Sequence, residues 1–111
     1  MKKMISLILT VTMLLSVCFA FTGCSSSDYT VGICQLMVHD SLDQATQGFI
    51  DALTAEMKAA GKSVEFDTQV AGDSNLCTTV INTFTAKKVD LIMANATPAL
   101  TAAANATADI P

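Results

Sequence analysis

Residues 29–111 are predicted to form an α/β fold with a doubly wound parallel sheet, on two observations. Apolar runs of strand length alternate with amphipathic runs of helical period, in the order β-α-β-α-β-α with a further apolar step at the end. The first strand run is continuous rather than alternating, as in a strand covered by helices on both faces, and the third also reads as buried. Right-handed crossovers then place the strands side by side in the order 2-1-3.

The first strand is Tyr29 to Leu36 (YTVGICQL), β-branched and apolar. Ser41-Leu42-Asp43-Gln44 has capping-box form, with Ser41 at N-cap and Gln44 at N3. From there Leu42, Ala45, Phe49, Ala52, Leu53, Met57 and Ala60 recur at helical spacing, opposite Gln44, Asp51 and Lys58. Gly61 takes the C′ position that stops the helix. Ser63 to Val70 (SVEFDTQV) alternates, which suits a strand nearer an edge. Ala71-Gly72-Asp73-Ser74 supplies a turn and cap, and Leu76, Val80, Ile81 and Phe84 form a second helical stripe. Lys87 and Lys88 close that helix at its negative dipole end. Val89 to Ala94 (VDLIMA) is the third strand and Asn95-Ala96-Thr97 its loop. Thr97 as cap and Pro98 at N1 open a third helix that runs to about Ala106. Ile110 would begin a fourth strand. A chain that stops at Pro111, on the entry to another strand, reads as a truncated frame.

The N-terminus carries a separate signal. Lys2 and Lys3 precede an uncharged run from Met4 to Phe21, the layout of a secretory signal. Phe21-Thr22-Gly23-Cys24 resembles the lipobox of bacterial lipoproteins, although Phe21 replaces the usual Leu. Cleavage before Cys24 and thioether lipidation of its thiol are expected. Residues 1–23 are then the signal peptide and 24–28 the lipidated cysteine with a flexible tether. The protein would sit outside the cytoplasm, anchored by lipid to the outer face of the cell membrane.

Composition narrows function. The net charge of −4 falls to −6 once Lys2 and Lys3 leave with the signal, and the chain has no Arg. Nucleic acid is therefore an unsuitable partner. The mean hydropathy of +0.50 is inflated by the leader. Cys34 and Cys77 are the cysteines left to the domain, and buried free thiols are favoured over a bridge between them. No CxxC or Cys/His cluster occurs and His39 is the single histidine, so neither a metal nor a cofactor is expected. There is no GxGxxG, P-loop or GxSxG motif. Asp40 and Asp43 share one short junction with no basic partner, which argues against a two-carboxylate hydrolase. The sequons at Asn95 and Asn105 are weak and are discounted.

Open α/β sheets bind ligands at the carboxyl ends of strands where strand order reverses. Here that point lies between the first and third strands, flanked by Gln35 to Asp43 and by Asn95 to Ala99. Gln35, His39, Ser41, Asn95 and Thr97 offer neutral hydrogen bonds, and each segment ends in a helix N-terminus that favours a carboxylate. Ser41 and Thr97 are caps first, with ligand contact a second role at the same place. Asp43 complements the helix dipole, His39 has an ordinary surface role, and Gln35, ending a buried strand, needs a partner. Leu36 and Met37 could line a pocket wall.

These segments, YTVGICQLMVHDSLDQATQGFIDAL and VEFDTQVAGDSNLCTTVINTFTAKKVDLIMANATPAL, resemble the N-terminal lobe of ABC-transporter substrate-binding lipoproteins, closest to the group for tryptophan and other aromatic amino acids. The resemblance implies a type I-like periplasmic-binding-protein lobe, truncated, that captures a small molecule between two lobes and delivers it to a membrane permease. It implies no enzymatic activity. Gln35 and Thr97 would contact the ligand, with Asn95 and Ala99 shaping the loop. Two alternatives stay open: a ligand-sensing lipoprotein of the same fold, and a lipid-anchored α/β enzyme whose catalytic residues lie downstream.

Overall fold

The computed structural model describes residue 1 and residues 26–111. The rest of the signal segment, 2–23, and the lipidation site Cys24 lie outside the described residues. Three parallel strands, β1 (Tyr29–Gln35), β2 (Val64–Val70) and β3 (Leu91–Asn95), stand in the order β2-β1-β3. Between and after them run α1 (Asp40–Ala59), α2 (Ser74–Lys87) and α3 (Thr97–Ala106). This is the doubly wound α/β arrangement expected, with β1 central and the switch point between β1 and β3.

Period-two alternation sorts β1 into two faces. Val31, Ile33 and Gln35 look toward α1, where Gln35 bonds Thr46. Gly32 and Cys34 look the other way, toward α2. A Cβ added to Gly32 would lie 2.6 Å from ring atoms of Phe84, so the bare Cα is what lets that ring lie flat against the sheet. The main apolar cluster gathers on this side: Cys34, Cys77, Ile81, Phe84, Val89, Ala99 and Ala102, all buried. Small alanines at the α2–α3 contact let those two helices approach closely.

The α1 face is more open. Of the stripe read from spacing, Leu42, Phe49, Leu53 and Met57 are half-buried, whereas Ala45, Ala52 and Ala60 are exposed. The fully covered residue is Thr46, one turn after Leu42. Phe49 meets Phe66 of β2 edge to face, with ring centroids 6.4 Å apart and planes at 80°. A 530 Å³ cavity remains under the C-terminal half of α1, lined by Val31, Leu53, Met57, Val64 and Leu91. It lies at the amino ends of the strands, away from the switch point.

Helix ends show where local chemistry departs from expectation. Gly61, at φ +70°, does stop α1: its N–H bonds Lys58 O (3.0 Å) while Lys62 N–H reaches Met57 O (2.9 Å), a Schellman pair. Ser41, however, is not the N-cap of α1. His39 is, in extended backbone, and its Nδ1 accepts from Ser41 N–H (3.3 Å). In α2 the cap is Asp73, whose carboxylate accepts from Asn75 and Leu76 N–H, as the turn chemistry implied. Leu76 is half exposed, and Cys77 takes the buried place beside it. Lys88 ends α2 in the left-handed region at φ 55°, a position that glycine fills at less cost.

Strand β3 starts at Leu91 rather than Val89. Val89 is still bound to the helix exit through Phe84 O (3.3 Å), and Asp90 clamps β1 by exchanging bonds with Thr30 (2.8 Å each). A similar clamp joins Asp28 to Ser63, so Asp28 belongs to the sheet's edge and not to a tether. The Ser63 N–H and hydroxyl hold the Asp28 carboxyl below its usual range. On the far side of β3, Ile92 N–H donates to Pro111 O (2.8 Å), which sets Ile110-Pro111 along that open edge.

Candidate functional site

Parallel register places Gln35 opposite Asn95, the last residues of β1 and β3. Leu36 N–H donates to Asn95 O (3.2 Å), so the two segments leave the sheet side by side. Both side chains turn inward. Gln35 is 2% and Asn95 7% exposed. They are joined through Thr46 in one chain of hydrogen bonds. Asn95 Nδ2 donates to Leu42 O (2.9 Å) and to Thr46 Oγ1 (2.9 Å). Thr46 Oγ1 donates to Gln35 Oε1 (2.7 Å). Gln35 Nε2 donates to Met37 O (2.8 Å) and Asp43 Oδ1 (2.6 Å).

The direction of this chain is set at its end. An ionised carboxylate and a backbone carbonyl only accept, so Gln35 must present its NH₂ to Asp43 and Met37 and its carbonyl to Thr46. Thr46 then spends its proton on Gln35 and accepts from Asn95. No buried side-chain nitrogen or oxygen among the described residues is left without a partner. Gln35, which needed a partner, has three. Thr46 was missed from the sequence as a polar residue inside an apolar stripe; its place four residues after Leu42 and three before Phe49 was the available signal.

The network pins the β1–α1 and β3–α3 junctions against each other, and the exposed groups stand on its rim. His39 and Ser41 are both exposed, with His39 Nδ1 2.8 Å from Ser41 Oγ. Thr97 is exposed and Ala99 fully buried in the core. Thr97 is not the cap of α3: it is the first helical residue and Pro98 the second. The N-cap is Ala96, at φ 97° and ψ 156°, and no side chain caps the helix. The first bond within α3 runs from Leu100 N–H to Ala96 O (3.1 Å). Thr97 is therefore an exposed residue in the first turn of an uncapped, partly positive helix end. Among the described residues α1 and α2 quench their N-termini with their own side chains; α3 does not.

Ala96 is held in a backbone region that costs a non-glycine residue about 1–3 kcal/mol. Apolar surface flanks the same rim. Met37, Val38 and Leu100 are 42%, 76% and 60% exposed. A shallow 350 Å³ cleft between α2 and α3 opens beside it, lined by Ser74, Thr78, Thr97, Pro98 and Thr101. The assembly offers hydrogen-bond donors for a carboxylate and apolar contacts for a side chain.

The ABC transporter substrate binding protein family matches residues 30–111. A tyrosine-binding protein from Clostridioides difficile (strain R20291) is 36% identical over 127 aligned positions, covering 99% of this chain and 36% of that relative. The ligand-free, open structure of CD0873, a substrate binding protein with adhesive properties from Clostridium difficile, superposes with a TM-score of 0.68 at 38% identity. That match covers 75% of this chain and 28% of the solved one. The chain thus spans about a third of the relatives it matches. It belongs to the ABC transporter substrate binding protein family.

Proposed function

We propose that this chain supplies the first-lobe half of a site that captures an amino acid, aromatic in type, for delivery to an ABC permease. The observation that carries it is the uncapped α3 N-terminus at the switch point, with Thr97 exposed in its first turn. A ligand carboxylate would accept from the Thr97 amide and hydroxyl, as anions do at helix N-termini. Met37, Val38 and Leu100 would meet its side chain, which fits the tyrosine-binding relative. Gln35 and Asn95 would act as braces that hold the rim, with His39 and Ser41 as polar neighbours on the β1–α1 side and Ala99 seating the loop in the core. The reading is one of binding, with no chemical step assigned to these residues.

Substrate-binding proteins of this family work outside the cytoplasm. We infer that Cys24 carries a lipid that tethers this one beside its permease. Globomycin, which blocks lipoprotein signal cleavage, should leave the precursor uncut; normal cleavage in its presence excludes the lipid anchor.

Calorimetric titration of the protein with tyrosine, phenylalanine and tryptophan tests the ligand class. Binding is expected for at least one, with the Thr97→Ala affinity lower by roughly tenfold, the loss of one good hydrogen bond to a charged group. No heat with any amino acid would sink the assignment.

A further inference from the structure

One charged group on the rim is anchored to the sheet yet has no counter-charge. Asp43 stands exposed in the first turn of α1, and its Oδ1 accepts from Gln35 Nε2 (2.6 Å). That bond fixes the carboxylate, because Gln35 is itself buried and held by Thr46 and Met37 O. The second oxygen, Oδ2, takes no hydrogen bond among the described residues. Capping does not account for it. The α1 N-terminus is capped by His39, and the Asp43 carboxylate meets Gln35 rather than the amides of its own helix. The described lysines are elsewhere. Lys58 lies ~22 Å further along α1 with Lys62 beyond it. Lys87 and Lys88 end α2, where Lys87 pairs with Asp67, the one ion pair among the described residues.

Asp43 and Thr97 belong to the two walls of the switch point. Gln35, which holds Asp43, is the register partner of Asn95, and Thr97 follows Asn95 by two residues. The strands beneath the two walls are ~4.8 Å apart. One wall ends in a partly positive helix terminus and the other in a fixed carboxylate. An α-amino acid carries the complementary pair, a carboxylate and an ammonium on one carbon.

We propose that Asp43 receives the α-ammonium of the ligand and so selects amino acids over other carboxylates. The inference rests on the amino acid reading above, with the ligand carboxylate at the α3 end. Oδ2 accepts from the ammonium while Oδ1 stays on Gln35. The carboxylate is therefore held before the ligand arrives and gives up little freedom on binding, in a bond charged on both sides. The neighbouring acids differ. Asp73 spends its carboxylate on capping α2, and Asp40, first residue of α1, is exposed and outside the network.

The test is calorimetric titration of the whole protein with tyrosine, phenylalanine and tryptophan, each beside its deaminated analogue, which keeps ring and carboxylate. Wild type should bind at least one amino acid, and at least tenfold more tightly than the analogue. Asp43→Asn keeps an oxygen for Gln35 Nε2 and removes the charge. It should lower amino acid affinity by roughly tenfold or more, while the analogue binds no more weakly than before. Asp40→Asn should change neither affinity by more than about twofold, and Thr97→Ala should weaken both ligands alike. If Asp43→Asn weakens amino acid and analogue equally, Asp43 is only a brace for Gln35 and the inference is overturned. An Asp40→Asn loss as large as that of Asp43→Asn overturns it too, since net charge then explains the effect. Both of those results leave the amino acid reading standing; no heat with any amino acid removes that reading and this inference together.

Discussion

Replacing Thr46 with valine tests whether the buried network, rather than apolar packing alone, holds α1 on the sheet. The two side chains have nearly the same shape, so the change deletes a hydroxyl and adds a methyl. Gln35 Oε1 loses its donor at 2.7 Å in a residue only 2% exposed, and Asn95 Nδ2 keeps Leu42 O but loses Thr46. An orphaned buried acceptor costs about 1–3 kcal/mol. The new methyl returns up to about 0.8 kcal/mol of burial. The net loss is about 1–2 kcal/mol, or roughly 4–16 °C in Tm for a domain of this size. Urea unfolding should show a lower midpoint with an unchanged slope. The decisive comparison repeats Thr46→Val in a Gln35→Leu background. With the acceptor already gone, valine should cost almost nothing, a coupling of at least 1 kcal/mol. An equal cost in both backgrounds would refute the network.

Three further outcomes follow from other contacts. Gly32→Ala should destabilise by about 1–3 kcal/mol, because the new Cβ meets the Phe84 ring at 2.6 Å; thermal melts should show most of that loss recovered in a Phe84→Leu background. Ala96→Gly should stabilise by about 1 kcal/mol in the same melts, since glycine accepts φ 97° without strain. The Lys87 ammonium, hydrogen-bonded to Asp67, holds that carboxyl below its ordinary range, with Gln69 assisting. A depressed folded pKa adds stability above the unfolded value near 3.9 and loses it as pH falls through the folded one. Asp67→Asn should therefore cost under ~1 kcal/mol at pH 7, the pair being largely exposed on the lysine side, and the gap to wild type should close below about pH 4 in urea titrations.

Strand order, switch point and the two flanking segments were legible because they rest on period and on topology rules, which tertiary packing rarely overrides. Gln35 stood out for a similar reason: a buried amide must be satisfied somewhere. The misreadings concern caps and stripes. Ser41 and Thr97 have good capping side chains, but caps are decided by backbone angles. His39 and Ala96 occupy the non-helical position at φ −161° and φ 97°. Alanines at helical spacing inflated the α1 stripe, since a methyl fits a helix surface whether covered or not. Cys77 is a buried free thiol, as expected. Its burial follows from Phe84 lying on Gly32, a contact between residues 52 apart in sequence.

The contrast among the three helix N-termini gives the site its logic. Capping an N-terminus with a histidine or aspartate satisfies its amides and dulls its partial charge, which is what α1 and α2 do. At α3 the cap position belongs to an alanine held at a strained angle, and a proline follows the first helical residue. A glycine would relieve the strain and a serine or aspartate would fill the cap, so local stability favours other residues here. What the present residues leave is an uncapped helix end with Thr97 exposed on it, the place proposed for the ligand. Rigidity comes from below, where Asn95 is fastened through Thr46 to Gln35 and Asp43 with no charge buried against the site. The buried members of that brace, Gln35, Thr46 and Asn95, are all uncharged, and its one carboxylate, Asp43, lies at the exposed end. Loosening the brace at Thr46 should therefore weaken ligand binding along with stability, whereas relieving Ala96 should raise stability while leaving the donor set in place.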